Sequence, residues 1–298
     1  MRAFVTGGHG FAGTWLRAHL EEEGDEVVAP DPSLDVTDGA ALRRAVASAR
    51  PDAIYHLAGL THVGQSWDAP AEVFRTNALG TLNLLEAAKA CGLGPRTLVV
   101  SSAEVYGAAP PQRMPLTEDA ELAPLTPYAA SKAAAELVAL QAHLGSGLPV
   151  VRVRPFNHIG PGQSADFAVS ALASRIVAAQ REGRREVAVG NTEPRRDFTD
   201  VRDVVRAYRL AVVRGRPGQV YNVCSGRAVS IGEVAHRLME LAGAQLELVP
   251  DPAQARPVDV PVLVGDASRL AEATGWAPRI GLEQTLADVL EHWRRALA

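Results

Sequence analysis

A tyrosine and a lysine that could carry out proton transfer, Tyr128 and Lys132, lie four residues apart in a segment typical of a helix. At that spacing both side chains share one helix face, so the ammonium can lie near the phenol and stabilise phenolate. A phenol of ordinary pKa about 10 would then be a usable proton donor or acceptor. On the pair alone, however, an ordinary helix start is the better explanation, with Pro127 in the first turn and Lys132 on the solvated face.

The choice of lysine is informative because the chain otherwise avoids this residue. Only Lys89 and Lys132 are lysine among thirty basic residues, so arginine is favoured wherever a generic positive charge is sufficient. A planar guanidinium does not replace a compact ammonium of tunable pKa. The composition therefore indicates a specific use for Lys132.

The elements that must position this pair begin with a glycine turn at the N-terminus. A short apolar strand at 2–5 is followed by three glycines at intervals of three residues and then by an amphipathic helix. Such glycines allow a tight turn and close approach of the backbone to a pyrophosphate, whose charge the helix N-terminus attracts. The pattern predicts a dinucleotide site that includes Gly7, Gly10, Phe11, Ala12 and Gly13.

A carboxylate after the second predicted strand, at 26–29, bears on the choice of dinucleotide. Asp31 could accept hydrogen bonds from ribose hydroxyls and would repel a 2′-phosphate, which favours NAD(H). NADP(H) stays possible because Asp31 could equally belong to an ordinary turn. Further cofactor candidates are Asp35 and Val36 for the adenine edge, and Leu57, Ala58 and Gly59 at the end of the third strand.

Strands and helices alternate through the first half, which predicts an α/β fold with a parallel sheet and ligands at the carboxyl ends of its strands. The fourth strand, at 96–100, leads directly to Ser102, which is therefore expected where substrate chemistry occurs. After about residue 165 the alternation weakens. Helices are predicted near 166–182, 200–214, 230–242 and 282–297, and strands near 186–189, 219–223 and 246–249.

Two polar stretches of the second half, at 193–198 and 256–260, are interpreted as loops. Their arginines, among them Arg196 and Arg256, suit a diphosphate because a guanidinium can bind its oxygens in pairs. Taken singly, each of these arginines is better explained as a surface or interdomain ion pair.

Bulk composition excludes several classes of protein. The 298 residues are 47% hydrophobic, which suits one large domain or two coupled ones. A net charge of −4 provides no basic field for nucleic acid, although residues 151–298 carry +3 against −7 for residues 1–150.

Two cysteines give neither a disulfide framework nor zinc spacing, so no metal site is expected. No apolar run has the length of a membrane span or signal sequence, so we expect a cytoplasmic protein without a membrane partner.

Together, the glycine turn, Ser102 and the Tyr128/Lys132 pair resemble the extended short-chain dehydrogenase/reductase family over essentially the whole chain. Within its nucleotide-sugar branch, four stretches look like the bacterial GDP-6-deoxy-4-keto-D-mannose reductases. They are Phe-Asn-His-Ile-Gly-Pro-Gly-Gln at 156–163, Arg-Asp-Phe-Thr-Asp-Val-Arg-Asp at 196–203, Tyr-Asn-Val-Cys-Ser-Gly at 221–226 and Thr-Gly-Trp at 274–276. GDP-mannose 4,6-dehydratases share several of these stretches.

The resemblance implies a doubly wound Rossmann sheet in residues 1–164 and mainly a smaller α/β nucleotide-sugar domain in 165–298, with about 219–226 returning to the sheet. It also implies a homodimer formed through helices like those at about 70–90 and 127–144. The implied reaction is NAD(P)H-dependent reduction of the C4 ketone of a GDP-4-keto-6-deoxyhexose to a GDP-6-deoxyhexose of the GDP-rhamnose type.

The resemblance also assigns roles to individual residues. Ser102 would hold the ketone oxygen, Tyr128 would donate a proton to it, and Lys132 would orient the nicotinamide ribose and lower the pKa of Tyr128. The residues expected to contact the nucleotide diphosphate are Asn157, Arg196 and Arg256.

One departure from related sequences bears on the alternatives. Glucose-type 4,6-dehydratases resemble Thr-Asp-Glu at the positions of Ser102, Ala103 and Glu104, where the carboxyl pair manages proton removal at C5 and loss of the C6 hydroxyl. Ala103 cannot donate a proton, which argues against a dehydratase, although Glu104 remains. Glu104 could be vestigial, a group that hydrogen-bonds the substrate, or a solvated side chain.

Two further alternatives stay open. A nucleotide-sugar 4-epimerase would use the same triad, whereas epimerisation at C3 and C5 is disfavoured because no cysteine lies beside Ser102, as it does in GDP-fucose synthases. A catalytically silent dinucleotide-binding regulator would have little use for Ser102, Tyr128 and Lys132 together.

Overall fold

The first half of the chain, with one late strand, builds a central parallel sheet. The computed structural model describes residues 1–251 and 260–298. The sheet strands are β1 (Arg2–Thr6), β2 (Glu26–Val28), β3 (Ala53–His56), β4 (Arg96–Val100), β5 (Val150–Pro155) and β9 (Val220–Val223). They lie in the order β2-β1-β3-β4-β5-β9, and every neighbouring pair is parallel. The predicted α/β fold with a parallel sheet is confirmed.

Helices cover both faces of this sheet because its buried strand residues alternate between them. The helices are α1 (Phe11–Glu22), α2 (Gly39–Ala49), α3 (Pro70–Phe74), α4 (Gly80–Ala90), α5 (Pro127–Ser146), α7 (Val201–Arg214) and α9 (Ser268–Thr274). On β1, Ala3 and Val5 face a core shared with α1, α7 and α9, whereas Phe4 faces a core shared with α2 and α4. Helix α5 packs beside α4 over β4 and β5.

The strand order places a crevice at the end of β1. From β1 the chain crosses to β2 on one side and then returns to β3 on the other, so the connections diverge between β1 and β3. In open α/β sheets ligands bind at such a switch point, outside the carboxyl ends of the strands. Gly7 and Leu57, the residues that follow β1 and β3, flank this crevice.

The helix predicted over 70–90 is interrupted. A π-helical segment, Arg75–Leu79, separates α3 from α4. Single π-helical turns inside helices are frequent at functional sites, where the wider turn re-aims a side chain. The segment contains Asn77, whose buried side chain is described with the site below.

The second part of the chain forms small sheets with helices. Its elements are β6 (Asn157–Ile159), α6 (Ala168–Glu182), β7 (Glu186–Val189), β8 (Arg195–Asp200), β10 (Ala228–Ser230), α8 (Ile231–Ala242), β11 (Glu247–Pro250), β12 (Val262–Leu263) and α10 (Leu282–Ala296). Strand β8 pairs with β6, β10 and β12, while β7 pairs with β11. An apolar core joins α6, α8 and α10.

The interpretation of 193–198 as a polar loop is wrong. Residues 195–200 form β8, in which Arg196, Asp197, Thr199 and Asp200 are buried although they are polar or charged. The Asp197 carboxylate accepts hydrogen bonds from the backbone of Ser225 at 2.7 Å and of Gly226 at 2.9 Å. A buried strand can be polar where its side chains find such partners, so hydropathy did not reveal it.

Two further points concern the limits of the two parts. Beyond residue 165, α7, β9 and α9 still pack on or within the Rossmann sheet. The smaller domain expected from the sequence would therefore consist mainly of the elements around β8. The stretch 256–260 lies largely outside the described residues, as does Arg256.

Within 1–251 and 260–298, the helices are too short or too polar to span a lipid bilayer.

Candidate active site

A cavity of about 940 Å³ opens at the carboxyl ends of β1, β3, β4 and β5, between the sheet and the second part of the chain. It brings together most of the residues singled out in the sequence. Those proposed for chemistry or substrate are Ser102, Glu104, Tyr128, Lys132, Asn157 and Arg196. Those proposed for the cofactor are Gly7, Gly10, Phe11, Ala12, Gly13, Leu57, Ala58 and Gly59.

Helix α5 presents Tyr128 and Lys132 to this cavity. It begins at Pro127, and the Thr126 hydroxyl caps it by accepting a hydrogen bond from the Ala129 backbone at 3.1 Å. The side chains of Tyr128 and Lys132 follow within the first two turns and are only 7% and 5% exposed. The interpretation of an ordinary helix start with Lys132 on the solvated face is therefore wrong.

The Lys132 ammonium lies at the end of β4. It donates a hydrogen bond to the carbonyl oxygen of Val100 at 2.9 Å. Burial disfavours the charged form and lowers the pKa of Lys132 to about 8. The lysine therefore remains mainly protonated at neutral pH, but it titrates within reach of physiological conditions.

The Tyr128 phenol is a proton donor in the free protein. Burial raises its pKa to about 12, the Ser102 hydroxyl opposes this shift, and the charge of Glu104 adds to it. We expected Lys132 to lower this pKa, but its ammonium is not among the groups that shift it and is directed at Val100 instead. The phenol therefore keeps its proton at neutral pH.

Ser102 directly follows the end of β4. Ser102 has an extended backbone, and its side chain caps a short 3₁₀ turn over Ala103–Tyr106. The hydroxyl oxygen accepts a hydrogen bond from the Glu104 backbone at 3.2 Å. A hydroxyl that accepts in this way still has its own proton to donate. The neighbouring Ala103 is buried against an apolar cluster that includes Tyr106 and Phe156.

The glycine turn after β1 has the shape that a pyrophosphate needs. Gly7 has a φ of +69°, and a Cβ there would lie 2.6 Å from the Ala58 backbone nitrogen, so only glycine lets β1 and β3 approach this closely. A Cβ at Gly13 would overlap the Gly7 carbonyl oxygen. The turn leads directly into α1, and the backbone N–H groups at the start of a helix favour an anion. These residues therefore fit a dinucleotide phosphate.

A second cavity of about 370 Å³ adjoins the glycine turn. Asp31 and Val36 line it, whereas in the described part of the chain Asp35 lines neither cavity. Hydrogen bonds from Ser33 hold the pKa of the exposed Asp31 carboxyl below its ordinary value, one of them from the Ser33 backbone at 2.8 Å. The Asp35 carboxylate instead accepts a hydrogen bond from the Thr37 backbone at 2.8 Å.

Asn77, to which sequence reasoning gave no role, is a buried residue that connects two elements next to the cavity. Its side chain pairs with both backbone groups of Leu60, accepting at 2.8 Å and donating at 3.0 Å. It also donates to the Ser131 hydroxyl at 2.9 Å, so one buried amide links the loop after β3 to helix α5. A polar residue within an apolar helix was the available signal, but the π-helical turn that aims it was not predictable.

The wall that the second part of the chain gives to the large cavity contains further basic and polar groups. Arg196 donates to the carbonyl oxygens of Val260 at 2.6 Å and Arg195 at 3.1 Å, which fixes its guanidinium. Asn157 lies on β6, beside β8. Two lining residues that the sequence did not indicate are Arg175 on α6 and Tyr208 on α7. In the described ranges, no three His, Cys, Asp or Glu side chains converge as a metal site would require.

Comparisons with known proteins show the family to which the chain belongs. A family model described as GDP-mannose 4,6 dehydratase matches residues 32–289. The chain is 40% identical to a GDP-6-deoxy-D-mannose reductase of Pseudomonas aeruginosa, covering 98% of this chain and 97% of that protein.

Two solved structures are similar over their full length. The structure of RMD from Pseudomonas aeruginosa complexed with NADPH superposes with a TM-score of 0.91 and 37% identity, covering 99% of this chain and 100% of that one. The UDP-glucose 4-epimerase of Thermus thermophilus, in complex with NAD, has a TM-score of 0.89 and 29% identity, with 99% and 100% covered.

Proposed function

Since the chain belongs to the GDP-mannose 4,6-dehydratase-like group of the extended short-chain dehydrogenase/reductase family, we propose that it is an NAD(P)H-dependent reductase of nucleotide sugars. The proposed reaction reduces the C4 ketone of a GDP-4-keto-6-deoxyhexose to a GDP-6-deoxyhexose of the GDP-rhamnose type. The observation that carries this proposal is the convergence of Ser102, Tyr128 and Lys132 in one cavity, in a chain similar over its full length to a GDP-6-deoxy-D-mannose reductase.

The chain's own side chains would manage the proton and the developing charge. When bound, the reduced nicotinamide supplies hydride to the carbonyl carbon. Tyr128 is protonated at neutral pH and would donate its phenolic proton to the ketone oxygen. Ser102 would donate a hydrogen bond to the same oxygen, since its own oxygen already accepts from Glu104. The Lys132 ammonium would stabilise phenolate as it forms and help to orient the nicotinamide ribose.

The environment of Ala103 favours a reductase over a dehydratase. A dehydratase needs an acid and a base for loss of the C6 hydroxyl and removal of the C5 proton. Ala103 is 2% exposed and packs in an apolar cluster, and its methyl group supplies no proton. Glu104 lines the cavity and raises the pKa of Tyr128, which supports a substrate-binding rather than a solvated role.

The nucleotide end of the substrate would lie toward the second part of the chain. Arg196 is a fixed guanidinium at the cavity wall, and Asn157 and Arg175 line the same region. Arginine suits a diphosphate because a guanidinium can donate paired hydrogen bonds to its oxygens. Arg256 remains in the proposal on the sequence resemblance alone.

The cofactor is a nicotinamide dinucleotide, and we propose NAD(H) as the preferred form. The support is the Asp31 carboxylate, which is held ionised at the mouth of the smaller cavity, where an adenosine ribose would lie. The similar structure complexed with NADPH keeps NADP(H) in view as the alternative.

We further propose a homodimer formed through α4 and α5. The exposed large apolar side chains of these two helices and the preceding π-helical segment are Leu79, Leu82, Leu137 and Leu144. Apolar side chains concentrated on neighbouring elements are typical of a protein interface. A second copy of the chain would cover them.

The deciding experiment supplies GDP-4-keto-6-deoxymannose with NADH or NADPH and follows cofactor absorbance and the sugar product. Consumption of reduced cofactor with formation of a GDP-6-deoxyhexose supports the reductase. Conversion of GDP-mannose without added reductant would indicate a dehydratase. Interconversion of C4 epimers without net cofactor consumption would indicate an epimerase, and dinucleotide binding without turnover of any keto-sugar nucleotide would indicate a regulator.

A further inference from the structure

We propose that Arg154, at the end of β5, is a positioning residue that holds the segment bearing Ser102 and the helix bearing Tyr128 in one fixed geometry through Tyr106 and Glu136. The catalytic readout of this inference rests on the proposed function. The geometric readout does not, because it concerns the separation of two side chains in the folded protein.

Glu136 extends the catalytic face of α5 by one more turn. Tyr128, Lys132 and Glu136 lie at intervals of four residues, so they share one buried face of the helix. The Glu136 carboxylate is 1% exposed and faces the arginines of β5. A contact that holds this carboxylate therefore restrains the rotation of α5 about its axis.

Arg154 forms a bidentate salt bridge with Glu136. Its Nε donates to one carboxylate oxygen at 2.9 Å, and one of its terminal nitrogens donates to the other at 2.6 Å. Arg152 approaches the second oxygen at 3.4 Å. A paired contact of this kind restricts both distance and orientation, which a single ion pair does not.

The remaining terminal nitrogen of the same guanidinium reaches the segment of Ser102. It donates to the Tyr106 hydroxyl at 2.9 Å and to the Glu118 carbonyl oxygen at 3.0 Å. The carbon of the guanidinium also lies 4.9 Å from the centre of the Tyr106 ring. Tyr106 is the last residue of the 3₁₀ turn that Ser102 caps, so Arg154 contacts both catalytic segments at once.

The Tyr106 hydroxyl is itself held from the other side. It donates to the Asn222 side-chain oxygen at 2.7 Å, and Asn222 lies on β9, next to β5 in the sheet. Arg154, Glu136, Tyr106 and Asn222 are all at least nine-tenths buried. In such surroundings hydrogen bonds are strong and their geometry is well defined.

Precise placement is a better account of this network than added stability. Buried ion pairs often contribute little net stability, because removing both charges from water is costly. A planar guanidinium with four directed hydrogen bonds suits a positioning role that lysine, with a compact ammonium, would not fill. We therefore expect the removal of a contact from this network to lower kcat and to leave substrate affinity unchanged.

The test compares Tyr106→Phe with Tyr55→Phe and Arg154→Lys. Tyr106→Phe removes only the hydroxyl that Arg154 contacts, whereas Tyr55→Phe removes a buried hydroxyl that has no hydrogen-bond partner in the described structure. We expect kcat to fall about tenfold in Tyr106→Phe and further in Arg154→Lys, with KM for both substrates unchanged. Tyr55→Phe should keep the kcat of the parent protein. Crystal structures should show the Ser102 hydroxyl and Tyr128 phenol further apart or more variable in Tyr106→Phe.

Two results would overturn the inference. One is a folded Tyr106→Phe protein with parental kcat and an unchanged separation of Ser102 and Tyr128. The other is an equal loss of kcat in Tyr106→Phe and Tyr55→Phe, which would indicate general loosening of the core. If the parent protein reduces no keto-sugar nucleotide, the proposed function fails, and the crystallographic separation still decides the positioning role of Arg154.

Discussion

The Lys132 ammonium and the Val100 carbonyl oxygen are joined by a 2.9 Å hydrogen bond that connects α5 to the end of β4. Val100 lies two residues before Ser102, and Lys132 and Ser102 line the same cavity. An ammonium has three protons, and two remain for other partners in the cavity. Because the group is buried and its pKa is lowered to about 8, its protonation state should control activity.

Activity should fall as pH rises through the pKa of Lys132. The ammonium is present below about pH 8 and is lost above it, and the proposed mechanism needs the charged form to stabilise phenolate. We expect kcat/KM, which reports groups of the free enzyme, to fall about tenfold per pH unit on the alkaline side. Lys132→Arg should be slower but should lack this limb, because arginine does not titrate in the range. An unchanged alkaline limb in Lys132→Arg would assign it to another group.

Lys132 should also make the free energy of unfolding depend on pH. Its folded-state pKa of about 8 lies below the ordinary value of 10.5, so between these values the unfolded chain binds more protons than the folded one. The free energy of unfolding contributed by Lys132 therefore rises with pH across this window and is lowest below it. Denaturant titrations of the parent protein and Lys132→Met at pH 7 and pH 10 should show the largest advantage of Lys132→Met at pH 7. Equal differences at both pH values would mean that the folded-state pKa is not lowered.

Removal of the Tyr128 hydroxyl should abolish most turnover and leave the fold intact. In Tyr128→Phe we expect kcat to fall by about 10²- to 10⁴-fold, the usual contribution of a positioned acid. Cofactor affinity, measured by fluorescence titration, should change little because the ring remains in place. Tyr55→Phe is the matched control, since it removes a buried hydroxyl on β3, outside the candidate site. A Tyr128→Phe protein with parental turnover would remove the phenol from the mechanism.

Cofactor preference should depend on Asp31 and not on Asp35. Asp31 lines the smaller cavity, and its carboxylate would repel a 2′-phosphate, so Asp31→Asn should raise the ratio of kcat/KM for NADPH to that for NADH. We expect an increase of at least about tenfold, as for the removal of a nearby like charge. Asp35→Asn is a matched control because it too accepts a backbone hydrogen bond two residues on, yet it lines neither cavity in the described chain. Equal ratios in the parent and Asp31→Asn would contradict the proposed NAD(H) preference.

The elements that place the catalytic groups could largely be predicted from sequence. The glycine turn, the strand before Ser102 and the Tyr128 helix depend on local patterns of apolar and small residues, which the chain shows clearly. Strand β8 was missed because its buried residues are charged and are satisfied by backbone groups of distant segments, as Asp197 is by Ser225 and Gly226.

The contacts that link catalytic segments were beyond sequence reasoning for a related reason. The contacts of Arg154 with Glu136 and Tyr106, and those of Asn77 with Leu60 and Ser131, join residues 17 to 54 positions apart. No local spacing rule reports such partners. The buried state of Lys132 was missed for the same reason, since a helix start looks alike whether its face meets water or a strand end.

The proposed dimer gives a last prediction, because it requires a second copy to cover the apolar side chains of α4 and α5. Leu137 and Leu144 on α5 are 58% and 74% exposed, and they lie away from the buried face that bears Tyr128 and Lys132. An arginine at either position would bring a buried, unpaired charge into the interface, so Leu137→Arg and Leu144→Arg should sediment as monomers. Val213→Arg, on α7, changes a side chain that is 43% exposed outside α4 and α5 and should leave the assembly unchanged. A Leu137→Arg/Leu144→Arg protein that still sediments as a dimer would place the interface on another surface.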